Sequence, residues 1–396
     1  MPNRREFLKH SSLVSLAPMV PAFLSQTALV AKAEKDDRIL VVIELEGGND
    51  GLNTVIPFAD EKYAEYRTSL RIKKEEIIKL DGSIGLHPAM KGLGDLFNEE
   101  RFSVIPGVGY PNPSRSHFRS QAVWHSASLD AEDHIGQGWL GRSCDQTRDS
   151  QQTKPDAVFV GEGTTPAAII GRRTNSIAIH NADELKLASN FDVPKVDVPD
   201  DLDDVTAFVQ NTINSSYKAA RQFAESKDKT QDGGYPNYGL ARKLELISRL
   251  IRLDGGTRIF YTSLGGFDTH ASQKSTHHNL LRRYSRSLKA FLDDLKRHKL
   301  NDRVTVLTFS EFGRQLRENA SGGTDHGTCG PVFVAGGAVQ PGVLSKYPSL
   351  TDLEDNEMKS SVDFRSIYSS LLADWLGVDA AVPLGGKFEP LRVVRN

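Results

Sequence analysis

Residues 265–270 read GGFDTH, a carboxylate and an imidazole two positions apart behind two glycines. Three other segments have a similar character. EGGND supplies Asp50, SEFGR supplies Glu311 and Arg314, and TDHG supplies Asp325 and His326. Carboxylate oxygens and imidazole nitrogens without thiolates suit zinc, manganese or a similar divalent ion at a catalytic site. Glycines beside each segment let a backbone pass close to an ion or an anion. Singly, each reads as a turn cap or a hydrogen-bonded loop pair. Together they describe one site, provided the fold brings them to one place.

A fifth segment adds a nucleophile and cations. PNPSRSHFRSQAVW (111–124) passes through two prolines into a helix, and Ser114 or Ser116 stands at its start. Unpaired N–H groups and the helix dipole favour an anion or an alkoxide there. Arg115 and Arg119 can clamp phosphoryl or sulfuryl oxygens. Ser114 also fits the plainer role of an N-cap.

The elements that must position these residues follow from periodicity. Arg38-ILVVIELEGG-Asn49 is a continuous β-branched run ending in glycines, the pattern of a buried parallel strand. Further strands are expected at 102–110, 257–265, 303–310 and 331–336, with two short ones around Gly171. Helices are expected at 88–100, 116–126, 201–226, 240–253, 279–298 and 364–377, the last closed by glycine. Strands alternating with long helices predict an α/β fold of three layers, a mostly parallel central sheet with helices on both faces. In such sheets ligands bind at the carboxyl ends of the strands, where the polar segments fall. A polar break at 227–239 reads as an inserted loop, and nothing marks a domain boundary, so 34–396 is expected to form a single domain.

The amino terminus speaks of compartment. Arg4 and Arg5 precede Phe7, Leu8 and Lys9 and a mildly apolar stretch broken by Pro18 and Pro21. This is the pattern of a twin-arginine export signal over residues 1–33, with Ala31-Lys32-Ala33 as the cleavage site. It implies a periplasmic or extracellular protein. No apolar run is long enough to span a bilayer. Lys and Arg number 49 against 51 Asp and Glu, and removal of residues 1–33 leaves 45 against 50. That balance excludes the basic footprint of a nucleic-acid binder. Cys144 and Cys329 leave one disulfide and two separate thiols equally open.

These motifs carry a family resemblance. GGNDGLN, LHPAM, SRSHF, GGFDTH, SEFGR, TDHG and DFRSIYSSLLADWLG resemble the exported family called domain of unknown function 1501, over about residues 38 to 390. More distantly the chain resembles the alkaline phosphatase and sulfatase superfamily. That resemblance implies an alkaline-phosphatase-like fold and one or two divalent ions. It would put Asp268, His270 and His326 in one metal site, Asp50 and Glu311 in a second, and Ser116 as nucleophile with Ser114 as its alternative. The chain departs from the superfamily at Phe312, where an imidazole is usual. The second site therefore loses a ligand, unless water or one of His87, His117 and His277 replaces it. The implied activity is hydrolysis of small-molecule or glycan phosphate or sulfate esters. The alternative is a non-catalytic binding or assembly protein on the same scaffold.

Overall fold

A computed structural model describes residues 38–130, 136–147, 155–181, 234–253 and 256–395. The expected export signal at 1–33 and the helix expected at 201–226 lie outside these residues. The central sheet is built from β1 (Ile39–Leu45), β2 (Phe102–Gly109), β3 (Ala157–Val160), β4 (Ser176–Ile179), β5 (Ile259–Leu264), β6 (Val304–Phe309), β7 (Gly330–Gly336) and two two-residue strands, β8 (Gly342–Val343) and β9 (Val362–Asp363). Their order is β8-β2-β7-β6-β1-β5-β3-β4, with β9 also on β2.

β1 lies at the centre, parallel to β5 and β6, and its alternation explains its apolar run. Ile39, Val41, Ile43 and Leu45 face one core with α1 (Lys91–Asn98), α4 (Gly239–Arg252) and α5 (Gln273–Arg297). Leu40 and Val42 face a second core with α2 (His117–Ser126), α3 (Trp139–Thr147) and α6 (Phe364–Ser370). Each fully buried Val or Ile there contributes about 1.5–3 kcal/mol, and both faces need such residues. Helices cover both faces, as expected. Glu44, on the α2 side of this strand, is the polar exception.

Two details differ from expectation, and the cysteine question is resolved. β7 runs antiparallel to both β6 and β2, so the sheet is mixed. α5 starts at Gln273, six residues before the expected 279, because its first turn is fixed by Gln273 N–H on the Gly322 carbonyl and by the buried Gln273 side chain. Cys144 and Cys329 are free and buried in separate cores, so no disulfide joins them. α6 runs on in π-helical form through Leu371–Leu376 and stops at Gly377, whose φ of 68° is the left-handed cap the sequence announced.

The reversal of β7 has a direct consequence. With β7 antiparallel to β6, its amino end lies at the carboxyl edge of β6 and β1. The loop 321–329 therefore enters the sheet beside the loops that follow β1, β5 and β6. A fully parallel sheet would have put His326 at the opposite edge. β2 is antiparallel to β7 as well, so the segment after Gly109 reaches the same edge.

Candidate metal centre

Gly47 and Gly48 follow β1 with φ of 113° and 77°. Their N–H groups donate to Glu311 Oε1 at 2.9 Å and Oε2 at 3.1 Å, which pins the end of β1 to the end of β6. A side chain is excluded at both positions. A Cβ on Gly47 would lie 2.4 Å from the Asp268 nitrogen, and one on Gly48 2.3 Å from the Phe312 ring.

Three imidazoles converge on Asp268 at this edge. His326 Nε2 and His270 Nε2 each lie 3.0 Å from Asp268 Oδ1 and 3.0 Å from each other. His117 Nε2, on the first turn of α2, lies 3.7 Å from Asp268 Oδ2. One ligand atom from each of His117, Asp268 and His326 falls within 4.8 Å of the others. Donors around tetrahedral zinc at about 2.0–2.1 Å sit roughly 3.3 Å apart, close to these spacings.

The far side of each ring is also held. His117 Nδ1 donates to Glu311 Oε1 at 2.8 Å, His270 Nδ1 to Asp325 Oδ1 at 3.0 Å and His326 Nδ1 to the Arg115 carbonyl at 2.8 Å. All three partners are acceptors. In a neutral ring this places the hydrogen on Nδ1 and the lone pair on Nε2, turned toward Asp268. Anchored Nδ1 and convergent Nε2 is the arrangement by which proteins orient imidazole ligands of a metal. Two imidazoles and a carboxylate, from His117, His326 and Asp268, suit zinc among common divalent ions, and His270 stands beside them.

Asp268 is held ionised. Burial pushes its carboxyl upward, but the His326 ring beside Oδ1 and the Arg314 hydrogen bond and charge outweigh that, leaving its pKa at about 2. Arg314 is buried, and each of its three guanidinium nitrogens has an acceptor. It donates to the carbonyls of Gly47, Gly48, Phe267 and Thr324 and to Asp268 Oδ1. It braces three loops from a buried position. A backbone bridge between Arg314 and His326 sets the height of the 321–329 loop.

Not every expected site residue joins the cluster. Asp50 is fully buried, with Oδ1 on Arg67 Nη2 at 2.8 Å and Oδ2 taking a hydrogen bond from Gln273 Nε2. Glu311 receives two glycine N–H groups and His117, and stands behind the cluster rather than in it. Asp325 likewise backs His270. Phe312 packs its ring 4.9 Å from that of His117 and 4.6 Å from that of His326, walling the two imidazoles. His87 and His277 are buried elsewhere. His277 Nε2 meets Asn49 Oδ1 at 2.9 Å, and burial with neighbouring positive charge pushes both histidines down to about 3.

His117 is the residue that motif reading placed only among three candidate fillers. Its signal was position, the first helical residue after a strand's carboxyl end. Ser116 precedes it as the N-cap residue of α2, exposed and making no side-chain cap bond. Ser114 Oγ instead accepts the Ser116 N–H at 3.2 Å, so Ser114 supports the turn. Arg115 and Arg119 are exposed on either side of Ser116 and His117.

The fold and this edge define an α/β protein with a histidine-carboxylate cluster at the carboxyl ends of its central strands. The family model described as protein of unknown function (DUF1501) matches residues 37–381, and the chain belongs to that family. No curated protein matches it. Among solved structures it is similar to a protein in the alkaline phosphatase superfamily from Vibrio parahaemolyticus, at 12% identity and a TM-score of 0.43, covering 96% of this chain and 78% of that one. It is also similar to the lipoteichoic acid synthase LtaP from Listeria monocytogenes, at 9% identity and a TM-score of 0.42, covering 91% and 76%. The C-terminal periplasmic domain of EcEptC from Escherichia coli, in complex with Zn, matches at 10% identity and a TM-score of 0.40, covering 77% and 74%.

Proposed function

We propose that residues 34–396 form an exported hydrolase of phosphate or sulfate esters that works with one divalent ion, most fittingly zinc. The carrying observation is the grouping of His117, Asp268 and His326 ligand atoms within 4.8 Å of one another, with His270 Nε2 3.0 Å from Asp268 Oδ1 and each ring anchored through Nδ1. A bound ion would supply Lewis acidity toward an ester oxygen and ease deprotonation of an attacking hydroxyl.

The chain's own residues account for the rest. Ser116 is the nucleophile in this reading. Its hydroxyl is exposed, free of capping duty, and lies between Arg115, which holds His326, and the ligand His117. The amino end of α2 favours negative charge on that oxygen. The exposed Arg115 and Arg119 would orient the anionic ester group. Arg314 is a brace for Asp268 in this reading, not a substrate clamp. Asp50 and Glu311 have their oxygens engaged by protein donors, which argues for one ion rather than two.

That same engagement favours a second reading, in which the ion is structural and the protein binds rather than hydrolyses. Elemental analysis together with turnover of an aryl phosphate and an aryl sulfate separates the two. One ion per chain with turnover supports the hydrolase. One ion with no turnover across both ester classes supports the binding protein.

A further inference from the structure

A cavity of about 300 Å3 lies against the outer side of the loop that carries His326. Its lining includes Arg115, Thr328, Glu354, Asp355, Lys359 and Ser360. It shares two walls with the cluster. The Arg115 carbonyl holds His326 at 2.8 Å, and Thr328, two residues beyond His326, donates its hydroxyl to the Met358 carbonyl at 2.6 Å. The far wall is a hairpin pairing Leu353–Glu354 with Glu357–Met358. Asp355 and Asn356 turn it with φ of 50° and 62°, which fixes an acidic tip.

The charges on this lining are not balanced. Lys359 is spent on Asp352. Arg115, Glu354 and Asp355 are exposed and form no ion pair with the described residues. The free positive charge therefore stands on the cluster side, and two free negative charges stand on the hairpin side. Burial pushes the Glu357 carboxyl behind them up to about 7, against the pull of Arg115 and Arg67. A polyanionic ligand would set its second anionic group against Glu354 and Asp355, a repulsion that selects against it. A cationic group is what that wall lacks. The volume is at the small end for ligand pockets and suits one ring rather than a lipid chain.

We propose that this cavity receives the leaving group of the ester, and that the leaving group is a polar alcohol bearing an amine, of the size of one amino sugar. The assignment rests on the hydrolase reading above. In the transfer, the phosphorus–oxygen or sulfur–oxygen bond to the alcohol breaks and the group passes to Ser116 Oγ. The electron pair stays on the alcohol oxygen, and the proton lost by the Ser116 hydroxyl balances it. The amine, protonated at neutral pH, rests against Glu354 and Asp355.

The zinc-loaded mature protein is titrated calorimetrically with D-glucosamine, N-acetyl-D-glucosamine and D-glucose. Glucosamine is expected to bind about tenfold more tightly than the other two. Glu354→Gln with Asp355→Asn, both on the surface, should erase that preference at an unchanged Tm. The same double variant should raise KM for glucosamine 6-phosphate or 6-sulfate and leave that for the glucose esters alone. Equal binding of the three sugars, or a preference that survives the double variant, overturns the cavity assignment. Aryl ester turnover without any sugar preference sinks it while sparing the hydrolase. A glucosamine preference without turnover of any ester supports an amine-selective cavity and overturns hydrolysis.

Discussion

His117 Nδ1 donates to Glu311 Oε1 at 2.8 Å, while its Nε2 lies 3.7 Å from Asp268 Oδ2. One ring thus joins a carboxylate behind the cluster to the one inside it. Glu311→Gln keeps the volume and removes the charge that orients the ring. Zinc affinity is expected to fall about 10–100-fold, the usual effect of losing such an outer partner. His117→Ala should lower it further. Competition with a chelating dye measures both, and an unaltered affinity in His117→Ala would remove this residue from the centre.

Asp50 separates two pictures of the site. Its carboxylate is buried against Arg67, so Asp50→Asn leaves a buried guanidinium without its counter-charge. Breaking such a pair costs about 3–5 kcal/mol. The variant is expected to lose that stability in urea denaturation yet hold one zinc per chain. Loss of zinc with intact stability would return Asp50 to the ligand set.

The two serines of SRSHF should behave differently. Ser116→Ala is expected to abolish ester turnover with zinc content and Tm preserved, since the exposed hydroxyl makes no cap bond. Ser114→Ala removes the acceptor of the Ser116 N–H and should cost about 0.5–1.5 kcal/mol while turnover persists. The reverse pattern would move the nucleophile to Ser114.

Glu44 and His125 form a buried pair at 2.9 Å, joined by the Tyr261 hydroxyl. Burial raises Glu44, but the His125 charge and hydrogen bond pull it below its ordinary 4.5. Burial lowers His125, but Glu44 lifts it above its ordinary 6.5. The stabilisation is therefore complete between those two values. It declines as pH falls through the lowered Glu44 value and as pH rises through the raised His125 value. His125→Phe should cost about 3–5 kcal/mol near pH 5.5, with a smaller gap at alkaline pH. Urea melts at both pH values test this, and a gap independent of pH would rule out the ion pair as its source.

Export is expected to need both leading arginines. Arg4→Lys with Arg5→Lys should leave the protein in the cytoplasm on cell fractionation, because lysine copies the paired signal imperfectly. Normal export of that double variant would disprove the twin-arginine assignment.

Much of this protein is local and was readable as such. β1 is apolar on both sides, so it had to be an inner strand. The helices carry their 3.6-residue spacing, and Gly377 closes the last one. GGND, GGFDTH, SEFGR and TDHG each stand next to strands that periodicity marks, so their meeting at one edge could be anticipated. What local pattern could not decide was which members of each segment face inward. β7 runs antiparallel because it pairs between β6 and β2, a long-range choice invisible in its own residues, and that reversal delivers His326. Asp50 and Glu311 look like ligands in sequence, but the fold supplies Arg67, Gln273 and the Gly47 and Gly48 N–H groups to their oxygens. His117 looks like a helix residue, but the docking of α2 over β6 aims it at Asp268. A residue's type sets what it can bind; only the tertiary structure decides which partner reaches it first.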